Sequence, residues 1–248
     1  VEAAALSPDT LARKTLKEIR QVEVWKGNRK TTIGDIFDVE GHADCEASEL
    51  NLKIAGDCSR IRKIGHRMKA GSITIDGTVG MYLGEEMSGG RIAVGGDAGS
   101  WVGSRMTGGS IEVKGDAGDF AGSSYRGSTK GMSGGEIAIH GNAGDEVGCW
   151  MLGGEIRIKG NVGMFAGMHM SSGTILVGGD CLGRAGAQMK GGRIIIQGNV
   201  PSILPSFTFE DVRENVKVGQ EKVAGPFYLF NGDNNETGSG RLFANVSK

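Results

Sequence analysis

The chain has 248 residues, a formal net charge of -1 and 45 glycines, more than double the usual share of about 7%. The near-balanced, interleaved charge excludes broad attraction to nucleic acid or to an anionic membrane, and no apolar run approaches the ~20 residues that span a bilayer. The glycines keep no triplet period and Pro is only 4, which excludes collagen; aromatics at 6% leave the core to small and β-branched side chains.

Residues 1–48 are not repetitive and are expected to form an N-terminal cap. Pro8 after Ser7 predicts a helix opening there and running to about Ile19. Residues 22–25 and 33–39 alternate apolar with polar, which predicts strands. The first residues lack the charged-then-apolar order of a signal peptide. Cys45, Cys58, Cys149 and Cys181 are far apart and form no C-x-x-C pair, so reduced thiols in a cytoplasmic protein are the expectation.

A repeat fills residues 49–204. Met68, Met87 and Met106 are spaced by 19 residues, as are Met132, Met151, Met170 and Met189; the step from Met106 to Met132 is 26, which is 19 plus a 7-residue insertion. The consensus is M-x-G-G-x-I-x-V-x-G-[DN]-A-G-x-x-x-G-x-x. A less regular unit precedes it, in which Leu52, Ile54 and Gly56-Asp57 match the strand and turn. Ile73, Ile92, Ile111, Ile137, Ile156, Ile175 and Ile194 form an unbroken column, with Ile or Val two residues later every time. A spacing of two puts both on one face of a strand, and the residue between them is usually polar.

Gly77 and its six equivalents follow the strand, and Asp or Asn follows in all but one unit. Such pairs favour tight turns, with Gly supplying positive φ. Further glycines recur at Gly80 and Gly84 and their equivalents. One strand and several turns in 19 residues is too short for a strand-plus-helix repeat, and a propeller blade needs about 40. The predicted fold is all-β: a right-handed parallel β-helix of about eight coils, on the order of 40 Å long, with non-repetitive caps at both ends.

Pro201 and Pro205 break the pattern, and residues 205–248 are expected to form the C-terminal cap. Residues 207–216 are expected to be helical; residues 227–230 and 241–243 read as a pair of strands around a loop. The insertion lies within residues 123–131 and carries Tyr125, Arg126 and Lys130. Insertions in solenoids map to one face, often the binding face, although a merely tolerated loop reads the same way. Arg60, Arg62, Lys63, His66, Arg67 and Lys69 form a basic cluster that suits either an anionic partner or a charged edge that blocks aggregation.

No nucleophile with a base stands at motif spacing, and neither G-x-S-x-G nor the P-loop pattern occurs. His42, His66, His140 and His169 have no ligand spacing. The methionine column reads as a stack of core side chains rather than a soft-metal ladder. Cys149 and Cys181 lack the partners an iron–sulfur motif requires. No catalytic, cofactor-binding or metal residue is assigned.

The repeated G-x-x-x-G-x-[IV]-x-[IV]-x-G-[DN] pattern resembles the Gly-rich β-helix of glutamate synthase and of the C subunit of formylmethanofuran dehydrogenase, with its relative in the bacterial formyltransferase/hydrolase complex. Trp25-Lys26-Gly27-Asn28, then Ile33-Gly34-Asp35-Ile36-Phe37-Asp38-Val39-Glu40-Gly41, is similar to the opening of the dehydrogenase's β-helix subunit, as are the insertion around Tyr125-Arg126-Gly127 and the ending Gly240-Arg241-Leu242-Phe243. The resemblance covers roughly residues 20–245. It implies a non-catalytic scaffold in the complex that reduces CO2 with methanofuran to N-formylmethanofuran in methanogenesis. It also implies cytoplasmic hetero-oligomeric partners: a tungsten- or molybdenum-pterin subunit resembling formate dehydrogenase, an amidohydrolase-like subunit with a dinuclear metal site, and iron–sulfur subunits. The alternatives are the bacterial complex and a module binding an acidic coenzyme tail through Tyr125, Arg126, Lys130, Arg60, Arg62, Lys63 and Arg67.

Overall fold

The computed structural model describes residues 1–245, and the chain is a parallel β-solenoid, as the 19-residue repeat predicts. The N-terminal segment holds helices α1 (Pro8–Leu11) and α2 (Leu16–Arg20) and the hairpin β1 (Glu23–Lys26) and β2 (Arg29–Thr32). The coils then supply β3 (Asn51–Ile54), β4 (Ser72–Ile75), β5 (Ser88–Val94), β6 (Gly108–Val113), β7 (Glu136–Ile139) and β8 (Leu152–Ile158). Next come β9 (Val162–Met164), β10 (Ser172–Val177), β11 (Cys181–Gly183) and β12 (Arg193–Ile196). The C-terminal segment adds β13 (Thr208–Val218), β14 (Glu221–Gly232) and β15 (Gly240–Asn245).

One 11-stranded sheet runs β13-β14-β15-β12-β10-β8-β7-β6-β5-β4-β3. From β3 to β12 its pairing is parallel and, apart from irregularities between Ser88 and Arg91 and between Ser172 and Thr174, in register, so Ile73 stands over Leu52, Ile92 over Ile73, and so on to Ile194 over Ile175. Strand β15 continues the same column, with Leu242 beside Ile194, and then pairs antiparallel with β14. A second line of pairing joins single residues: Cys58 to Val79, Ala98, Ala117, Ala143 and Val162, then β9 with β11. The seven repeat methionines are fully buried between these lines. They form the core stack that the sequence predicts.

Some glycine columns of the coil use positive φ, those of Gly84 and Gly90 among them, and others do not. Gly90 and its equivalents do (φ +79 at Gly90), and a Cβ there would come within 2.6 Å of Met68 Cε in the coil before. The glycine after the strand does not, which corrects the turn argument: Gly96 and Gly115 are outside the left-handed region. Gly115 is required by crowding, because a Cβ would fall 2.0 Å from Asp97 Oδ1. That oxygen accepts the Asp116 N–H at 2.8 Å, and Asp116 Oδ1 accepts the Asn142 N–H at 2.6 Å. Asn142, Asn161 and Asp180 repeat the contact to Asn161, Asp180 and Asn199. The Asp/Asn column is therefore a hydrogen-bonded ladder between coils rather than a set of isolated turn formers.

Three local expectations are corrected. The helix from Pro8 does not reach Ile19: it stops at Leu11, Arg13 takes φ +61, and a second helix starts at a capping box between Thr15 and Glu18. Residues 33–39 are not a strand; Asp35 accepts the Thr32 N–H at 2.9 Å and closes a single 3-10 turn over Ile33–Asp35, so β1 pairs with β2 instead. Residues 207–216 are not helical but lie largely in β13, paired with β14. Register shifts between Phe209 and Asp211 and between Arg213 and Asn215 break the strand alternation and hide it in the sequence.

The β13–β14 hairpin has a clear reason to fold where it does. Leu176 and Ile195 occupy outward strand positions where other coils carry Thr74, Glu112 or Arg157. Val216, Val218, Val223, Phe227 and Leu229 cover them in a second small core. Arg157 secures the hairpin through Glu221, and Arg193 donates to the Lys217 carbonyl at 2.9 Å. At the other end, Ala3 and Leu6 reach the first coil, with Ala3 N–H donating to Arg62 O at 2.9 Å and Asp9 accepting the Lys69 N–H at 2.9 Å.

Candidate partner-binding face

Each coil closes through a five-residue turn, of which Tyr82-Leu83-Gly84-Glu85-Glu86 is one example. Its first and last residues both adopt positive φ, +63 at Tyr82 and +57 at Glu86. This conformation is unfavourable outside glycine, yet it recurs coil after coil. It is held by pairing to the next coil: Tyr82 N–H donates to Ser100 O at 2.9 Å and Glu86 N–H to Ser104 O at 2.9 Å. The second and third residues carry the core apolar side chain and the third repeat glycine, so the others face outward or into the seam between coils.

The first position of this turn reads Lys63, Tyr82, Trp101, Phe120, Glu146, Phe165 and Arg184 along the rod. Tyr82 stacks on Trp101 with centroids 5.1 Å apart, and Trp101 stacks on Phe120 at 4.5 Å. Arg184 lies over the Phe165 ring at 5.6 Å. In the last position Trp150 stacks on His169 at 4.0 Å. Tyr125 projects from the insertion that leaves the same turn and is 49% exposed. Every aromatic residue between positions 49 and 204 is thus on this one face, and none is in the rod's core.

A charge cluster adjoins the ladder. Glu85 is buried, with His66 Nδ1 3.1 Å, Lys63 Nζ 3.8 Å and Arg105 4.0 Å from its carboxylate. Burial pushes the Glu85 carboxyl up, but His66, Lys63 and Arg105 outweigh it and hold it below the usual carboxylate range. Glu86 shows the same balance, with burial opposed by Arg67 at 2.5 Å and by Arg105. Burial, together with nearby Tyr125 and Glu85, raises the Tyr82 hydroxyl.

Among the described residues, the buried side-chain atoms without an aligned hydrogen-bond partner are His66 Nδ1, Glu85 Oε2, Trp101 Nε1 and Arg105 Nε. All of them lie on this turn face. His66 Nδ1 and Glu85 Oε2 face each other at 3.1 Å in the ion pair above, which leaves the Trp101 indole N–H and the Arg105 Nε–H as buried donors without a partner, each at a cost of about 1–3 kcal/mol.

The residues singled out from sequence divide here. Lys63 and Arg67 sit on this face and are paired within the chain, and Arg62 and Lys63 reach Glu2 at 3.0 and 3.2 Å. Arg60 lies at the start of the same coil, where its carbonyl accepts from the N-terminal amine at 2.8 Å. Arg126 and Lys130 are exposed on the insertion beside Tyr125 and have no ion pair among the described residues. Sequence reading missed Tyr82, Glu85, Trp101 and Phe120. Their signal was available: aromatic residues return 14 positions after Met68, Met87 and Met106.

His140 is elsewhere, on the outer sheet surface, 3.0 Å from Glu112 and 3.1 Å from Lys159. Cys58, Cys149 and Cys181 are buried and Cys45 is partly so; all four are free thiols. Among the described residues, no group of three or more His, Cys, Asp or Glu side chains is arranged to hold a metal ion.

No family model matches the chain. Over 83 residues it is 41% identical to the C subunit of the molybdenum-containing formylmethanofuran dehydrogenase 1 of Methanosarcina barkeri, a match that covers 34% of this chain and 28% of that one. Over 84 residues it is 42% identical to the C subunit of the tungsten-containing enzyme 2 of Methanothermobacter thermautotrophicus, covering 34% and 31%. The match therefore spans about a third of these curated relatives. Among solved structures, a chain of the formyltransferase/hydrolase complex FhcABCD from Methylorubrum extorquens, in complex with methylofuran, superposes with a TM-score of 0.85 at 28% identity, over 99% of this chain and 95% of that one. The sequence comparison thus finds the dehydrogenase's β-helix subunit, and the structural comparison finds a chain of the bacterial complex, the two kinds of protein that the motifs resemble.

Proposed function

We propose that this chain is the β-helix subunit of a hetero-oligomeric complex of the formylmethanofuran dehydrogenase type, and that it acts as a scaffold rather than as a seat of chemistry. The observation that carries this reading is the superposition on one chain of a multi-chain complex from end to end, over 99% of the chain. In the dehydrogenase version the complex reduces CO2 with methanofuran to N-formylmethanofuran. The partners are then a pterin-containing subunit with tungsten or molybdenum, an amidohydrolase-like subunit with two metals, and iron–sulfur subunits, all in the cytoplasm. A rod whose strands are locked in register is suited to holding two catalytic subunits at a fixed separation. The interfaces should each bury well over about 1,000 Å².

A second reading places the chain in the bacterial formyltransferase/hydrolase complex. It is favoured by the source of the solved chain, which belongs to that complex and superposes over 95% of its length. Native purification from source-cell extract, with mass spectrometry and metal analysis, separates the two. A pterin subunit with tungsten or molybdenum supports the dehydrogenase. An amidohydrolase-like subunit and a formyltransferase without either metal support the bacterial complex. A chain that purifies alone contradicts both.

A further inference from the structure

We propose that Arg193 and Arg241, side by side on the outward face of β12 and β15, form a binding site for a small dianionic ligand, a phosphate or a dicarboxylate. The inference concerns this chain's own surface and does not depend on its being a subunit.

The two arginines stand opposite each other in the parallel register of β12 and β15. Each precedes a buried residue of the core column, Ile194 or Leu242, so each points outward. Neighbouring strands are about 4.8 Å apart, and like charges set side by side at that spacing repel. Among the described residues neither arginine has an ion pair. Arg91 and Arg157, on the same outward face, do: Arg91 meets Glu112 at 3.0 Å, and Arg157 meets Glu155 and Glu221.

The carboxylates around the pair are bonded elsewhere. Glu155, beyond Thr174 on β8, is held by Arg157. Glu210 of β13 accepts from Asn231 Nδ2, and Asn231 is the neighbour of Arg241 on β14. Glu236 faces Lys190 at 3.5 Å.

Half of the site is already held in place. Arg193 donates from Nη2 to Thr174 Oγ1 at 3.1 Å and from Nη1 to the Lys217 carbonyl at 2.9 Å. Both acceptors are neutral, so they orient the guanidinium without offsetting its charge. An open depression of about 540 Å³ lies against it, lined by both arginines, Thr174, Ser172 and Ser239. Gly173 and Gly192 present only backbone there. An arginine fork takes the oxygens of a phosphate or carboxylate two at a time, and two adjacent forks match a ligand with two charges.

A second depression, of about 310 Å³ beside His140, is the weaker claimant. Its arginine, Arg157, is neutralised by Glu221 in the same wall.

The test is titration calorimetry on the full chain, with inorganic phosphate and with malonate as probes. Saturable one-to-one binding of either probe is expected, with a rise in the unfolding temperature on binding. Arg241 is exposed and unpaired, so Arg241→Gln should fold normally and bind about tenfold more weakly. Arg241→Lys keeps the charge but loses the fork and should fall in between. Arg91→Gln, a control on the same face, should bind as wild type does. Absence of saturation, or equal weakening by Arg91→Gln, would overturn the site. The titration is then repeated on the native complex. Retained binding supports a small-molecule ligand. Loss of binding there means that a partner's group fills the site, so the small-molecule assignment fails while the subunit reading stands. A chain that purifies with no partner sinks the subunit reading and leaves the titration of the free chain to decide the site.

Discussion

Met106 Cε lies 2.6 Å from where a Cβ on Gly135 would stand, although 29 residues and the whole insertion separate the two in sequence. Met87 and Gly109 make the same contact at 2.7 Å without any insertion between them. The loop at residues 125–130 is thus extruded without disturbing the stacking register of the coils on either side.

Gly135→Ala should therefore destabilise the rod by on the order of 3 kcal/mol, from the clash together with positive φ (+88) at a non-glycine residue. Met106→Ala removes the other half of the contact and should cost about 2–5 kcal/mol by leaving a cavity. Urea unfolding followed by circular dichroism measures both. Because the two residues touch, the double variant should cost less than the sum.

The Asp/Asn ladder predicts an asymmetry between two substitutions at one site. Asp116→Asn keeps the Oδ1 that accepts the Asn142 N–H and should be close to neutral. Asp116→Ala removes the acceptor and should cost about 1 kcal/mol. Thermal unfolding of the pair is decisive: equal effects would mean that the ladder contributes through charge or size instead.

Glu85 gives the pH dependence a direction. Its folded-state carboxyl is held below the ordinary carboxylate range by His66, Lys63 and Arg105 acting against burial. A group lowered on folding contributes stability that is fully present above its unfolded-state value and is lost as pH falls through the lowered one. Wild type should therefore lose more stability than Glu85→Gln between about pH 6 and pH 3 in urea titrations. Parallel curves would show that the cluster contributes nothing to acid sensitivity.

Cysteine reactivity should follow burial. The Cys149 thiol is pushed up to about 12 by burial, reinforced by Glu146, so little thiolate exists near neutral pH. Cys45 is the more accessible thiol, and an aromatic disulfide reagent should modify it first in the folded chain, with Cys149 following only on unfolding.

The coil was legible because its period is enforced by contact. Each Ile meets its own equivalent one coil away and each Met meets a glycine of the next coil, so the sequence repeats wherever the core does. The flanks were harder to read because nothing repeats there. Arg13 breaks a helix that Pro8 opens well, and two register shifts hide the strand in residues 208–218. The turn glycines were recognised but misexplained at Gly115, whose cause is Asp97 in a neighbouring coil and not local φ. The candidate face was half seen. The insertion and the basic cluster stand out in the sequence, whereas Glu85 and the Tyr82–Trp101–Phe120 stack become visible only when residues 19 apart are brought together.

The most direct test of the scaffold reading is one turnover assay, for formyl transfer to or from the furan coenzyme, run on this chain alone, on the partner subunits without it and on the complete assembly. The account predicts no turnover by the chain alone, impaired turnover without it and full turnover when it is restored. Turnover by the purified chain alone, or undiminished turnover by partners lacking it, would contradict the account.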